Sequence, residues 1–254
     1  MKFLLALFIF GMTVIGILVA VLYEEGNMQY SDRLDVIQNR DCVVVLHGLK
    51  MGPRHLSFMA RSLEKEGYDV YNIGYNSDKE TIENITRNQV RPQLPVACGG
   101  KLHYVGHSMG GIIIRELLRQ DTPQNIGRIV MLGTPNQGSE VVDFNMRTPV
   151  VSTLFDLFFG PAAEQLRAEN NDYLEELPAP VVQTGIIAGD TYIEPIGGMF
   201  ILPAPNDGKV TVGSTKLKTM NDHIVLHDSH FWLPISHEAR MQTIHFLKNG
   251  KFDK

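Results

Sequence analysis

Runs of consecutive apolar residues recur along the chain, and polar or helix-patterned segments separate them. Four runs are continuous or nearly so, at 42–46, 102–105, 126–132 and 181–188, and a fifth strand pattern covers 221–226. Residues 68–75 alternate between apolar and polar side chains, which also indicates a strand. Unbroken apolar, β-branched runs are typical of parallel strands that helices cover on both faces. The pattern therefore predicts an α/β fold.

Helical spacing fills the segments between these runs. Residues 54–66 place apolar side chains one helical turn apart, and Gly67 ends that pattern. Ser77 and Glu80 match a capping box, which predicts a helix whose buried stripe includes Ile82 and Ile85. The apolar residues from 111 to 118 predict a packed helix directly after the run at 102–105.

The first residues have a different composition. Phe3 to Leu22 is twenty residues without a charge, with Lys2 before it and Glu24 after it. At about 1.5 Å per residue, a helix of this length spans a hydrocarbon core of about 30 Å. Residues 1–26 are thus predicted to form a transmembrane signal anchor or a cleaved signal peptide, followed by a stalk at 27–40. The anchor is favoured, because Leu18 is too large for a signal-peptidase site ending at Ala20.

The basic residue ahead of this run predicts that the N-terminus is cytoplasmic and the domain at 41–254 is extracytoplasmic (periplasmic, lumenal or extracellular). Cleavage would release a secreted protein instead. With 44% apolar and 20% charged residues, 254 residues suit one globular domain, and a net charge of −5 gives no reason to expect a nucleic-acid partner. The sequence indicates no metal site or cofactor, since it has two cysteines and neither an H-E-x-x-H pattern nor a glycine-rich phosphate loop.

The strongest chemical motif is Gly106-His107-Ser108-Met109-Gly110, between a predicted strand and a predicted helix. A G-x-S-x-G sequence in that context forms a tight turn that exposes the serine hydroxyl to a base. The Met109 N–H would then lie near the helix N-terminus, where it can stabilise an oxyanion. The alternative is an ordinary glycine-flanked serine in a loop that starts a helix.

This motif resembles the elbow of the α/β-hydrolase family, in its lipase and esterase branch. Three further stretches are similar to that family, in the order Val43 to Leu49, Leu132 to Ser139 (with Gly-Thr-Pro-x-x-Gly) and Asn206 to Val210. The resemblance implies a compact α/β-hydrolase fold, with a mostly parallel sheet, helices on both faces and a short helical cap. The segment before Cys42 is too short for the two leading strands of full-size members.

The resemblance also assigns roles near the nucleophile. It implies that the Leu49 N–H is the second oxyanion donor, beside Met109, and that Gly48 lets the backbone approach the substrate. His47 would shape this loop by hydrogen bonding, while Gly106, His107 and Gly110 would support the elbow.

The remaining triad members each have a rival. Asp207, in Asn-Asp-Gly-Lys-Val, resembles the family's catalytic acid, and Asp190 is the alternative because it directly follows a predicted strand. His230 resembles the family's catalytic base after the last strand, with His237 as the alternative. Either choice keeps the order Ser, Asp, His that this fold uses.

The same resemblance makes the strands beginning near Cys42 and after Cys98 parallel neighbours. Both cysteines would then lie at one end of the sheet. If the domain is extracytoplasmic, the oxidising compartment would favour a disulfide between them. Two unrelated buried thiols are the alternative.

A cap is expected at about 145–180. Its apolar residues at 150, 151, 154, 155 and 157–159 would either cover the domain core or line an acyl pocket, and residues 166–177 are expected to form a polar outer helix.

Together these features predict a serine hydrolase that cleaves carboxylic esters of small molecules or lipids through an acyl-enzyme. An acyltransferase or thioesterase would use the same triad, and a peptidase or a non-catalytic binding module on this fold is less favoured. The sequence does not indicate an oligomeric state.

Overall fold

The computed structural model describes residues 40–147, 149–193 and 196–254. The predicted N-terminal anchor or signal peptide, and the stalk up to residue 39, lie outside the described residues. Within the three described ranges, no helix is long and apolar enough to cross a membrane.

A six-stranded sheet forms the centre of the described chain, in the order β2-β1-β3-β4-β5-β6. Its strands are β1 (Cys42–Leu46), β2 (Asp69–Ile73), β3 (Leu102–His107), β4 (Ile126–Leu132), β5 (Thr184–Gly189) and β6 (Asp222–Leu226). Every neighbouring pair is parallel. The predicted α/β fold with a mostly parallel sheet is thus confirmed.

Within the described residues, eight α-helices connect and cover these strands. They are α1 (Ser57–Lys65), α2 (Ile82–Ile85), α3 (Met109–Gln120), α4 (Glu140–Met146), α5 (Pro149–Phe159), α6 (Pro161–Glu164), α7 (Asp172–Glu176) and α8 (His237–Asn249). Short 3₁₀ helices cover Pro53–Leu56 and Arg91–Gln93, and π-helical turns cover Thr86–Val90 and Ile196–Ile201.

Both faces of the sheet are buried. Along β1, Val44 and Leu46 point into a core that α3 shares, while Val43 and Val45 point into a second core that α1 and α8 share. All five β1 residues are buried. This explains why the strand lacks polar alternation, since a strand covered on both faces has no solvent side.

The predicted capping box at Ser77 is wrong. The N-cap of α2 is Thr81, whose side chain accepts from the Asn84 N–H at 3.4 Å. Ser77 Oγ instead accepts from the Lys50 N–H at 2.8 Å, so the serine is used by the loop that follows β1. The Ser77 hydroxyl therefore bonds a residue distant in sequence instead of capping the helix that follows it.

The segment between β4 and β5, where the cap was expected, folds into the short helices α4 to α7. The expected polar outer helix at 166–177 is wrong, because only Asp172–Glu176 is helical. Leu166, Leu174 and Leu177 are buried in the core that contains α3. Phe155 also packs against that core, but Leu157, Phe158 and Phe159 of α5 are exposed.

Cys42 and Cys98 form the predicted disulfide, with their Cα atoms 5.9 Å apart. The bond joins the first residue of β1 to the segment that leads into β3, and the two strands are paired neighbours. It therefore links β1 to the segment before β3 at the end of the sheet where the strands begin.

Candidate active site

Ser108 sits on a sharp turn between β3 and α3. Its φ of 54° and ψ of −125° are unusual for a residue with a side chain, and its N–H donates to the Leu132 carbonyl at 2.9 Å. A Cβ at Gly106 would lie 2.6 Å from a backbone nitrogen, and one at Gly110 would lie 2.2 Å from the Leu46 carbonyl oxygen. Neighbouring backbone atoms lie too close to both positions for a Cβ atom, so glycine is required on both sides of the serine.

His230 lies on the loop after β6, with its ring between Ser108 and Asp207. Its Nε2 is 3.0 Å from Ser108 Oγ, and its Nδ1 is 2.7 Å from Asp207 Oδ2. A carboxylate can only accept at Nδ1, so the proton is placed there and Nε2 is free to accept from the serine hydroxyl. The backbone N–H of His230 also donates to the Asp207 carbonyl, at 2.9 Å.

Asp207 is held by its own turn. Its Oδ1 accepts from the N–H groups of Lys209 at 3.0 Å and Val210 at 2.8 Å. These bonds occupy one carboxylate oxygen and leave the other aimed at His230. The side chain is 1% exposed, so water does not compete for the Asp207–His230 bond.

The two rival residues lie elsewhere. Asp190 pairs with His227, with Oδ1 and Nδ1 2.9 Å apart, and the His227 side chain is 85% exposed. His237 is the exposed first residue of α8, next to the N-cap Ser236, whose Oγ accepts from the Ala239 N–H. The structure brings Ser108, His230 and Asp207 together. Neither Asp190 nor His237 joins them.

The loop after β1 lies against the nucleophile. A Cβ at Gly48 would come within 3.0 Å of Ser108 Cβ, and Leu49 follows it, half-buried against the core. His47 Nδ1 donates to the Gly48 carbonyl at 2.9 Å, and its ring stacks on Tyr75 with centroids 3.9 Å apart. The Tyr75 hydroxyl also donates to the His47 carbonyl.

Met109 begins α3 on the other side of Ser108, with its side chain fully buried. Met109 is thus the first helical residue after the serine, and Leu49 belongs to the loop that packs against it. Their role as oxyanion donors stays a prediction.

Two histidines hold the loop that carries His230. His107 Nε2 donates to the His230 carbonyl, and His55 Nε2 donates to the next carbonyl, of Phe231, each at 2.9 Å. Burial lowers the pKa of His107 well below its usual value, and the His230 and His55 charges lower it further. Burial also lowers the pKa of His55. Both rings are therefore neutral donors near neutral pH. The sequence placed His55 in a helical element but did not indicate this contact.

The Gly133-Thr134-Pro135 turn lies under the site. A Cβ at Gly133 would lie 3.0 Å from Asp207 Oδ2 and 3.1 Å from His230 Nδ1, and a Cβ at Gly111 of α3 would overlap the Thr134 side chain. The turn thus packs between the nucleophile helix and the acid–base pair.

A cavity of about 280 Å³ opens beside the acid–base pair. Its lining includes His230 and Asp207 together with the apolar residues Met51, Ile193 and Phe231. Among the described residues, no cluster of histidine, cysteine and carboxylate side chains could hold a metal ion.

A comparison with curated proteins finds no match. The mature form of the Bacillus licheniformis lipase BlEst2 is 22% identical, with a TM-score of 0.62 over 83% of this chain and 92% of that one. EstA from Clostridium botulinum is 13% identical, with a TM-score of 0.58 over 83% and 87% of the two chains. The metagenomic carboxyl esterase MGS0156 is 15% identical, with a TM-score of 0.56 over 77% and 66%. These likenesses show the fold.

The sequence itself matches the family model described as palmitoyl protein thioesterase over residues 42–187. The matched segment runs from β1 into β5 and contains the elbow with Ser108. The match supports hydrolase activity. Because it covers more than half of the chain, the chain belongs to the palmitoyl protein thioesterase family.

Proposed function

We propose that this protein hydrolyses carboxylic esters with Ser108 as nucleophile, His230 as base and Asp207 as the acid that orients the base. The observation that carries the proposal is the continuous hydrogen-bond chain, at 3.0 Å from Ser108 Oγ to His230 Nε2 and 2.7 Å from His230 Nδ1 to Asp207 Oδ2. A serine hydroxyl is a weak nucleophile, and this contact supplies the base that activates it.

In the first half-reaction, His230 Nε2 takes the hydroxyl proton as Ser108 Oγ bonds to the acyl carbon. The carbonyl oxygen becomes an oxyanion, which the Leu49 and Met109 N–H groups would stabilise. The C–O bond to the alcohol then breaks, and His230 returns its proton to the leaving oxygen. Asp207 stabilises the imidazolium that forms between these two proton transfers.

In the second half-reaction, a water molecule replaces the alcohol. His230 takes a proton from the water as the water oxygen attacks the acyl carbon. The bond to Ser108 Oγ breaks, the serine regains its proton, and a carboxylic acid leaves. The two steps predict a covalent acyl-enzyme at Ser108.

A thioester is the second candidate substrate, because the matching family model is described as palmitoyl protein thioesterase. The same triad cleaves either bond, and the leaving group would be a thiol instead of an alcohol. Competition between an oxygen ester and a thioester with the same acyl chain would rank the two substrate classes.

We also propose that the domain at 41–254 is extracytoplasmic and tethered by the uncharged run Phe3 to Leu22. The Cys42–Cys98 disulfide supports an oxidising compartment. N-terminal sequencing of the mature protein tests the tether: residue 1 or 2 is expected, and a start near residue 21 would show a cleaved signal peptide and a secreted enzyme.

The activity is tested with p-nitrophenyl esters of increasing acyl length, comparing the full chain with Ser108→Ala. We expect the variant to fold and to lose several orders of magnitude in turnover. Ser62→Ala, on the outer helix α1, is the matched control, because its hydroxyl bonds the Phe58 carbonyl and an Arg240 nitrogen instead of a triad residue. Retained turnover in Ser108→Ala would contradict the proposal.

A further inference from the structure

A band of exposed apolar side chains lies on the helices and loops around the candidate site, and we call it the apolar rim. Its members are Phe144, Leu157, Phe158, Phe159, Ile193, Met199, Phe200, Phe231 and Trp232. Leu157 and Phe200 are each 77% exposed, more than an ordinary packed side chain would be. Exposed apolar surface of this kind marks a contact site for a membrane or a partner.

The members of the rim are connected through the fold. Ile193 and Phe231 line the same cavity as His230, and the Phe231 and Trp232 rings meet edge to face with centroids 5.8 Å apart. Helix α4, which carries Phe144, packs against both α5 and the Ile196–Ile201 turn. The rim therefore continues from the catalytic loop to the cap helices.

The other exposed large apolar side chains of the described chain lie on other elements. They are Phe58 on α1, Val96 before β3, Val181 before β5, Val225 on β6 and Met241 on α8. Among the described residues, none of these five positions lies on an element that carries a member of the rim, so the rim is a separate group of exposed apolar side chains.

Two elements of the rim carry almost no charge, while Lys209 lines the cavity that Ile193 and Phe231 share. The sequence of α5 contains one charged residue, Asp156, and the Ile196–Ile201 turn contains none. Binding to anionic lipid needs clustered lysines and arginines, which these two elements lack. A zwitterionic lipid surface, bound through apolar and aromatic side chains, matches this composition.

The proposed N-terminal anchor would supply the lipid surface. The uncharged run Phe3 to Leu22 is joined to Arg40 by seventeen residues. Arg40 lies where the strands begin, since its carbonyl accepts from the Gly100 N–H and its side chain pairs with Asp69 at the start of β2. Ser108 follows the end of β3, so the chain enters the domain at the edge opposite the site.

Extended at about 3.3 Å per residue, seventeen residues reach about 56 Å. The strands themselves are about 17 Å long, from five residues at the same rise. A segment of this length is long enough for the edge of the domain opposite Arg40 to face a bilayer that holds the proposed anchor.

We propose that the apolar rim docks on a zwitterionic bilayer, with the entrance to the site facing the lipid. The docking depends on the proposed N-terminal anchor for its proximity to the membrane, but not on the triad. An acyl ester could then reach the cavity beside His230 directly from the bilayer.

The chain offers a reporter for this contact, because Trp232 is its one tryptophan. It is 47% exposed on the rim, so water reaches it when the rim is undocked. The experiment reconstitutes the full chain in phosphatidylcholine vesicles with brominated or ordinary acyl chains and measures tryptophan emission. We expect brominated chains to quench Trp232 and docking to protect it from aqueous acrylamide. Ser108→Ala should quench equally, which separates this test from the proposed activity.

Variants locate the contact. Phe158→Asn and Phe200→Asn are each expected to shift the docking equilibrium about tenfold toward the undocked state, because each removes one buried phenyl group from lipid. Val181→Asn is the matched control: this residue is 92% exposed but lies just before β5, where the strands begin. It should leave the quenching unchanged.

Three results would overturn the proposal. The chain could float with the vesicles while Trp232 stays unquenched, which would retain the anchor and reject docking. Failure to float, with Trp232 unquenched, would reject both. Acrylamide protection that depends on protein concentration and not on brominated lipid would assign the rim to contact with a second copy.

Discussion

Arg115 holds the cap segment to the nucleophile helix, and its removal should destabilise the protein strongly. The side chain is 4% exposed and lies within α3, seven residues after Ser108. Its guanidinium donates to the backbone carbonyls of Asn136 at 3.2 Å, Leu174 at 3.0 Å, Leu177 at 2.7 Å and Pro178 at 3.2 Å. Arg115→Leu therefore removes the donors of four carbonyls at once.

The magnitude follows from these contacts. Leaving one buried polar group without a partner costs about 1–3 kcal/mol, and neighbouring losses do not add fully. Burial lowers the pKa of Arg115 to about 10, which shows that the site also disfavours the charge. That disfavoured charge offsets part of the loss, so we expect a net cost of about 3 kcal/mol. In a domain of this size, such a cost lowers the Tm by about 6–12 °C.

Thermal unfolding of the detergent-solubilised full chain, followed by circular dichroism, measures this shift. Arg91→Leu is the matched control, because Arg91 is 41% exposed and pairs at 3.0 Å with Asp121, which is 69% exposed at the end of α3. A partly exposed pair of this kind is worth about 0–1 kcal/mol. Equal Tm values for the two variants, or a higher Tm for Arg115→Leu, would refute the reasoning.

Three further predictions concern the bridge, the buried imidazole and the acid. Replacing Cys42 and Cys98 with serine should cost about 4 kcal/mol in the chain-entropy estimate for a separation of 56 residues, measured by urea unfolding against the unreduced wild type; an unchanged midpoint would contradict it. The folded-state pKa of His107 is lowered, so the unfolded state binds more protons below pH 6.5 and stability falls as the pH falls. His107→Gln keeps an amide donor but does not titrate. Below pH 6.5, the free energy of unfolding of this variant should therefore fall less steeply than that of the wild type, by up to about 1.4 kcal/mol per pH unit. Parallel plots of unfolding free energy against pH for the two proteins would disprove this. Asp207→Asn should lower turnover by a factor on the order of 10⁴, whereas Asp190→Asn should stay near wild type; the reverse order would reassign the acid.

The strands could be predicted from the sequence because their cause is local. A strand covered on both faces needs apolar residues throughout, and 42–46 and 129–132 show that pattern without reference to the rest of the chain. The turn at Ser108 is also local, since the two glycines that flank it leave room for the crossing backbone.

Contacts between distant segments could not be predicted in this way. Ser77 has the sequence of an N-cap, yet its hydroxyl is used by Lys50, 27 residues away. His55 reaches the Phe231 carbonyl across 176 residues, and Arg115 is buried because carbonyls from the cap surround it. Such partners depend on how elements pack, which hydrophobic periodicity does not encode.

The exposed side of the cap could not be predicted from the sequence either. The apolar residues of α5 indicated burial, and Phe155 is packed against the core, but Leu157 and Phe158 are exposed. Apolar composition alone does not distinguish a core-facing helix from one that faces a lipid surface.

The central claim is that Ser108 carries the acyl group between two half-reactions. Rapid acid quenching during turnover of a long-chain p-nitrophenyl ester, followed by peptide mass spectrometry, tests it most directly. The account predicts an added acyl mass on the peptide that contains Ser108, and its absence from the Ser108→Ala protein. An acyl group found on another residue, or ester turnover by the wild type without any trapped adduct at Ser108, would contradict the account.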